Sequence, residues 1–408
     1  VKPMQLSRRR FLAGSAAAAV AASGVAAGRA AGDAAAPPAD GAPKDLDARF
    51  AFDGPNQAGI VTPLTDQATF VALDAIAPTT RDLFQGLQAL SSRARTLTQG
   101  TSFAIGDVDE PPLDSGTLGV NIAPDGLTVT FGFGASLFDS RYGLAAKKPA
   151  GLTRMPPFPN DDIDPTRAHG DLLLQIAANH RDTVVHTLRE LMKQVRDTFA
   201  LRWQIDGFQS TDRGPSPKSS KRNLFGFRDG TANPDLGNAA KLKQLIWTPD
   251  GGSYQVVRTI RMYVEFWDRV GLREQENMIG RTRDSGAPLG GSSEYQDPRL
   301  DLDPKGERIP LDAHIRLANP RTRATADQRV LRRGYNYSRG FDEAGQLDQG
   351  LVFVAYNQDV ERQFATIQNR LSAEPMVDYI TPVGGGYFYV PPGTSGPADW
   401  VGSKLLTT

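Results

Sequence analysis

The sequence predicts an α+β fold in which a ferredoxin-like (split βαβ) plan with antiparallel sheets occurs twice. Three observations carry that expectation. A strand–helix–strand pattern with two periodicities runs through residues 60–209, the same pattern returns over residues 253–390, and a polar Pro/Ser/Lys stretch over 213–222 separates the two. Apolar residues two apart place a strand half-buried in a sheet, and apolar residues three or four apart place a helix on it.

In chain order, residues 60–73 hold a β-rich run, and residues 80–96 show helical spacing through Leu83, Leu87 and Leu90. Residues 118–133 alternate as two strands around the Pro124-Asp125-Gly126 turn. Residues 171–177 read as a strand, 181–199 as a helix and 201–209 as a closing strand. In the second half, 253–266 is a long strand, 269–281 a helix, 349–356 a strand, 359–371 a helix and 386–390 a terminal strand. A long irregular excursion over 283–333 interrupts this half, and insertions of that length in a compact domain are usually functional. The expected organisation is a signal and cleavage region at 1–36, a flexible lead-in at 37–55, an N-terminal unit at 56–212, a linker at 213–222 and a C-terminal unit at 223–408.

Composition narrows the function. Of 408 residues, 39% are hydrophobic and 23% charged, as in ordinary globular proteins. Basic and acidic residues both total 46, but five of the basic ones lie in the first 32 residues, where no acidic residue occurs. Taking those five away leaves 41 against 46, so no nucleic-acid footprint remains. Ser7-Arg8-Arg9-Arg10-Phe11-Leu12, followed by an Ala-rich stretch and small residues, predicts a twin-arginine export signal. The apolar part is too short and too weak to span a bilayer. The expected location is therefore periplasmic or extracellular. With no cysteine, disulfides, thiolate metal sites, iron–sulfur clusters and covalent haem attachment through Cys-x-x-Cys-His are excluded.

Four histidines remain as metal ligands: His169, His180, His186 and His314. No HExxH spacing is present. His180 and His186, six apart, do not share a helix face and read as polar positions on a surface helix. His169 precedes a strand without an evident partner. His314 lies in the excursion, where by itself it reads as a satisfied loop residue more readily than as a ligand.

Longer motifs alter that balance. Gly226-Phe227-Arg228-Asp229-Gly230-Thr231-Ala232-Asn233-Pro234 resembles the signature of the dye-decolourising (DyP-type) haem peroxidases. His314-Ile315-Arg316-Leu317-Ala318-Asn319-Pro320-Arg321 is similar to that family's proximal segment, and Arg332-Arg333-Gly334-Tyr335-Asn336-Tyr337 to its distal-arginine segment. Shorter matches occur at Gln57-Ala58-Gly59-Ile60-Val61-Thr62-Pro63, Gly286-Ala287-Pro288-Leu289, Gly350-Leu351-Val352-Phe353 and Gly384-Gly385-Gly386-Tyr387-Phe388. The resemblance covers residues 56–395 and looks most like the exported deferrochelatase/peroxidase branch associated with bacterial iron uptake. Asn56 stands where that branch often has histidine, Ser285 where threonine is usual, and Gly334 where some relatives carry a distal asparagine.

What the resemblance implies is a peroxidase on non-covalent haem b, held in the C-terminal unit. It would reduce hydrogen peroxide through a ferryl intermediate and oxidise dyes, phenols, porphyrins or metal ions. His314 would be the axial iron ligand and Asp229 the proton shuttle, since a carboxylate stays ionised in acid where a distal histidine is protonated. Arg332, a permanent cation, would stabilise charge at the breaking O–O bond. Gly230, Thr231, Ala232, Asn319, Pro320, Arg321 and Arg332 would contact haem, with Leu351 and Phe353 as an apolar distal wall. Asp378 is the expected carboxylate partner of His314. Bulky reductants would deliver electrons through surface aromatics, for which Trp203, Trp247, Trp267 and several tyrosines are available. Two alternatives stay open: a deferrochelatase or haem-binding protein of iron uptake with incidental peroxidase activity, and a haem-free interaction protein. Exposed sheet edges leave room for a homodimer, and iron- or metal-uptake components are the expected further partners; no nucleic acid and no integral membrane span are.

Overall fold

A computed structural model describes residues 45–103, 106–211 and 219–407. The twin-arginine motif, the cleavage region and most of the 213–222 linker lie outside those residues. The first unit runs β1 (Gln67–Ala75), α1 (Thr80–Thr98), β2 (Thr128–Gly134), β3 (Leu172–Ala178), α2 (Arg181–Gln194) and β4 (Phe199–Phe208). Its antiparallel sheet has the order β2-β3-β1-β4. The second runs β5 (Ser253–Met262), α3 (Leu272–Ile279), α4 (His314–Ala318), β6 (Leu331–Arg332), β7 (Tyr335–Phe341), β8 (Leu347–Asn357), α5 (Thr366–Leu371) and β9 (Ile380–Val390). Here the order is β7-β8-β5-β9. Both orders are the split βαβ arrangement, so the duplicated α+β fold is as expected.

Each sheet then joins the other at both edges. Phe388 and Tyr389 of β9 pair with Gly134 and Phe133 of β2, and Phe208 of β4 pairs with Asn336 of β7. The eight long strands therefore close into a ring, with β6 laid beside the end of β8. Alternation along each strand divides its side chains between two environments. Phe70, Trp203, Val257, Tyr335, Val352, Val354, Tyr356 and Phe388 form one buried cluster drawn from both sheets, inside the ring. On the outer face of the first sheet, Val71, Leu73 and Phe131 pack against Leu83, Leu87 and Leu90 of α1 and Val184 and Leu191 of α2. α1 is stopped on its N-terminal side by Thr79, whose hydroxyl accepts from the Asp82 amide.

Several boundaries differ from expectation. Residues 121–122 pair with 101–102 rather than with β2, so 118–133 is not a hairpin. Its turn is held elsewhere: the Asp125 and Gly126 amides donate to Leu46 and Ala48, and the Asp125 carboxylate caps α2 through the His180 amide and Thr183. Residues 45–55, expected as the end of a flexible lead-in, are docked by those same bonds. Phe52, 7% exposed, packs edge-on to Phe131, and Asp53 pairs with Arg95 at 2.8 Å. The long strand over 253–266 ends at Met262 and turns into a short helix, Val264–Trp267. The helix over 359–371 opens as a π-helical turn, Glu361–Ala365.

Candidate active site

In the second unit the helices stand away from the outer face of the sheet, and the gap is the site. The alternation that sends Val257, Val352 and Phe388 into the ring sends Arg258, Ile260, Met262, Leu351, Phe353, Ile380 and Pro382 outward, where they floor a cavity. All its lining residues lie between 223 and 382, and it encloses about 1660 Å³ of non-protein space including its mouth. Phe225, Phe227, Ile279, Ile315, Phe364, Ile367 and Leu371 add further apolar wall, while Arg281, Arg321 and Arg329 add cations.

His314, Asp229 and Arg332, scattered over more than a hundred residues, all line this one cavity. His314 is the first residue of the short helix α4. Its Nδ1 lies 2.6 Å from Glu374 Oε2, and the Glu374 side chain is 3% exposed. An ionised carboxylate only accepts, so Nδ1 carries the proton and Nε2 presents its lone pair. Burial opposes a charged imidazole there, but Glu374 outweighs it, and the His314 pKa is raised.

Asp229 sits on a turn tied to its surroundings at both ends. Its amide donates to the Lys221 carbonyl, and the Asn233 amide donates to Gly230, whose φ of +101° suits glycine. Arg332 arrives from β6, and its Nη1 is 2.8 Å from Asp229 Oδ1. Asn233 locks the two segments together: its Nδ2 donates to the Arg332 carbonyl at 2.8 Å and its Oδ1 accepts from the Arg332 amide at 2.9 Å. Arg281, hydrogen-bonded to the Gly286 and Glu294 carbonyls, has its pKa pushed down to about 10 by burial and by the neighbouring Arg321 and Arg332.

Most expected contacts reach the cavity. Thr231, Ala232, Asn319, Arg321, Leu351 and Phe353 line it; Pro320 does not, and Gly230 borders a smaller adjoining chamber instead. Thr231 also donates to buried Glu294 at 3.0 Å. Asp378 is exposed and absent from the lining, so the expected His314 partner is corrected to Glu374. Sequence reasoning missed Glu374, Arg258, Arg281 and Arg329. Glu374 precedes Pro375 four residues before Asp378, and nothing in the local pattern ranks one carboxylate over the other.

The remaining histidines belong to the first unit. His186, expected on a helix surface, is 1% exposed and bonds Asp114 through Nε2 at 2.9 Å. Glu190 lies with them in a three-residue cluster of metal-ligand type, but Arg93 is 2.5 Å from Glu190 and 3.2 Å from Asp114. The guanidinium supplies the positive charge an ion would bring. His180 Nδ1 lies 2.7 Å from Asp125. His169 has φ +63°, its carbonyl accepts from Trp203 Nε1 at 2.7 Å, and burial, then Arg154 and Arg202, lower its pKa to about 4.

Comparison with known proteins gives a consistent picture. The N-terminal Dyp-type peroxidase family profile matches residues 57–209 and the C-terminal one residues 220–395. A curated relative from Escherichia coli strain 536, called deferrochelatase, is 45% identical over 416 aligned positions, 98% of this chain and 97% of the relative. A deferrochelatase of Yersinia pestis bv. Antiqua is 44% identical over 365 positions, 87% of this chain and 84% of the relative. Among solved structures, a DyP-type peroxidase from Cellulomonas bogoriensis superposes with a TM-score of 0.79 at 35% identity, covering 89% of this chain and 99% of that one. Ferric DtpA from Streptomyces lividans gives 0.80 at 33%, covering 89% and 98%.

Proposed function

The chain belongs to the Dyp-type peroxidase family, and from that premise we propose how its residues divide the work of a haem-dependent peroxidase. The observation that carries the proposal is the convergence of His314, Asp229 and Arg332 on one apolar cavity. The residues fit a non-covalent porphyrin. Apolar walls suit its faces, Arg281, Arg321 and Arg329 suit its propionates, and the His314 Nε2 lone pair suits its iron.

When bound, haem supplies the iron at which peroxide is reduced and through which electrons are drawn from the donor. His314 would hold that iron through Nε2, with Glu374 fixing the ring's tautomer and raising its basicity. Asp229 accepts the proton of one peroxide oxygen and returns it to the other, which leaves as water. Arg332 offers its guanidinium to the negative charge that builds as the O–O bond lengthens. The Asp229–Arg332 contact holds the two within reach of one small molecule. Leu351 and Phe353 narrow the space beside them. For donors too large to enter, an aromatic run leads from the cavity wall through buried Trp267 to Tyr379 and exposed Phe266, whose rings are 5.0 Å apart. Trp267 stacks on cavity-lining Phe225 with ring centroids 4.3 Å apart and meets Tyr379 at 5.1 Å.

Titration of haem into the purified apoprotein tests the assignment of His314. Wild type should give a Soret band at one equivalent, and H314A should lose it or shift it to that of a differently ligated iron. An unchanged spectrum in H314A would remove His314 from the iron.

Export by the twin-arginine route to the periplasm or exterior is part of the same proposal, supported by the Arg8-Arg9-Arg10 motif. No helix among the described residues is long and apolar enough to cross a membrane. A second reading, release of iron from haem, draws on the name deferrochelatase borne by the relatives. Iron-free porphyrin recovered from haem-loaded protein would support it, and intact haem after many turnovers would count against it.

A further inference from the structure

Glu294 lies in the irregular excursion and lines neither the cavity nor the chamber beside it. Its side chain, 7% exposed, is nevertheless turned onto the loop that carries Asp229. Oε1 accepts from the Thr231 hydroxyl at 3.0 Å, and Oε2 lies 3.5 Å from Arg228 Nε. Arg228 is the residue before Asp229 and Thr231 the second after it. One carboxylate therefore grips the turn on both sides of the distal acid. The Ser220 amide also donates to Oε1, at 3.1 Å, while Arg228 Nη1 donates to the Ser220 carbonyl at 2.9 Å.

The group is charged and dry. The Arg228 side chain is 4% exposed, and Glu294 is its only carboxylate partner among the described residues. A guanidinium cannot shed its charge, so loss of Glu294 leaves a buried cation unmatched one residue from Asp229. That cation then competes with Arg332, which holds Asp229 at 2.8 Å. Gly286 lets the two segments approach. A Cβ added there would lie 2.6 Å from Arg228 Cδ and 3.3 Å from Glu294 Cγ, and its φ of +74° suits glycine. The Gly286 and Glu294 carbonyls both accept from Arg281 of the cavity wall, at 2.6 and 2.8 Å. The excursion is thus anchored to the cavity at the residue that grips the turn.

We propose that Glu294 is the positioning residue of the distal turn, holding Arg228 and Thr231 so that Asp229 stays against Arg332. The inference rests on the peroxidase reading for what Asp229 does, but the positioning itself has a structural readout, so either can fail without the other.

The test compares wild type with E294A and E294Q, each alone and combined with D229A, at matched haem content. A crystal structure of E294A should show the Asp229–Arg332 contact opened from 2.8 Å. Stopped-flow rates of reaction with peroxide and of association with hydrogen cyanide, which must both give up a proton, should fall about tenfold or more in E294A. E294Q, which still accepts from Thr231 but carries no charge for Arg228, should lose less, and KM for the organic donor should not change. With D229A in place, neither substitution should slow either rate further. If E294A does not take up haem, the nearly isosteric E294Q carries the same comparisons. The proposal is overturned if the Asp229–Arg332 contact stays intact in the variant, if the variant reacts as fast as wild type, if it slows D229A as much as it slows wild type, or if the donor KM rises in step with the fall in rate. A D229A protein as fast as wild type would instead remove Asp229 from the peroxide step and leave the positioning to be decided by the crystal structure.

Discussion

Two carboxylates four residues apart illustrate what a single side chain decides. Glu374 precedes a short turn, Pro375–Tyr379, and Asp378 lies within it, yet only Glu374 is buried against His314. A carboxylate partner raises the donor strength of a metal-bound imidazole, and removing such partners commonly costs about 10–100-fold in metal affinity or activity. Glu374→Gln should therefore weaken haem retention by about that factor and shift the Soret maximum, while Asp378→Asn should do neither; haem-transfer kinetics to apomyoglobin read both. At this scale the motifs around Asp229, His314 and Arg332 were legible because each is a contiguous string. The partner of His314 was not, because it is selected by packing across 60 residues. His186 escaped for the same reason: its partner Asp114 lies 72 residues away.

Among the elements, the turn at 229–233 and the strand β6 act as one device through Asn233. Both the oxygen and the nitrogen of that side-chain amide engage the Arg332 backbone, and Arg329 fastens the turn from the other side by donating to the Ala232 and Asn233 carbonyls. Asn233→Ala leaves the Arg332 amide and carbonyl unmatched, a loss of about 1–3 kcal/mol. It also frees Arg332 to drift from Asp229. Misplacement of about 1 Å at a reacting centre costs up to about 10²-fold. The expected result is a tenfold or greater fall in kcat/KM for peroxide with little change in KM for the reductant. Equal losses on both substrates would mean general unfolding instead. Period-two and helical patterns revealed most elements, because burial on one face imposes them. β7 was hidden: Tyr335 and Tyr337 point into the core, but four of its seven residues are exposed. It therefore lacks the apolar run that marks its neighbours.

For the whole molecule, closure of the two sheets into a ring is the feature least visible in sequence. It rests on two short contacts, Phe388 with Gly134 and Phe208 with Asn336, each joining residues more than a hundred positions apart. The closed ring gives the second sheet a fully packed inner face, which leaves its outer face free to floor the cavity. His169 lies beside that closure: its amide donates to Gly385 of β9 and its carbonyl accepts from Trp203 of β4. Its pKa is lowered from 6.5 to about 4 by burial and by Arg154 and Arg202. The folded state thus binds fewer protons than the unfolded one, so the contribution is complete above about pH 6.5 and is lost as pH falls towards 4. With allowance for partial exposure, the loss is about 2 kcal/mol. Asparagine tolerates the left-handed backbone at this position, so His169→Asn should keep the fold and flatten the decline of Tm between pH 7 and 4.5. Parallel declines in the two proteins would exclude His169 as the cause.

The proposed division of labour across the cavity, in which His314 would hold iron and Asp229 and Arg332 would handle peroxide, is most directly tested by stopped-flow absorbance after mixing holoenzyme with one equivalent of hydrogen peroxide. Wild type should lose its resting Soret band rapidly. D229A and R332L, carrying the same haem content and the same resting spectrum, should do so about 10²–10⁴-fold more slowly. Rates equal to wild type in both variants would contradict the account.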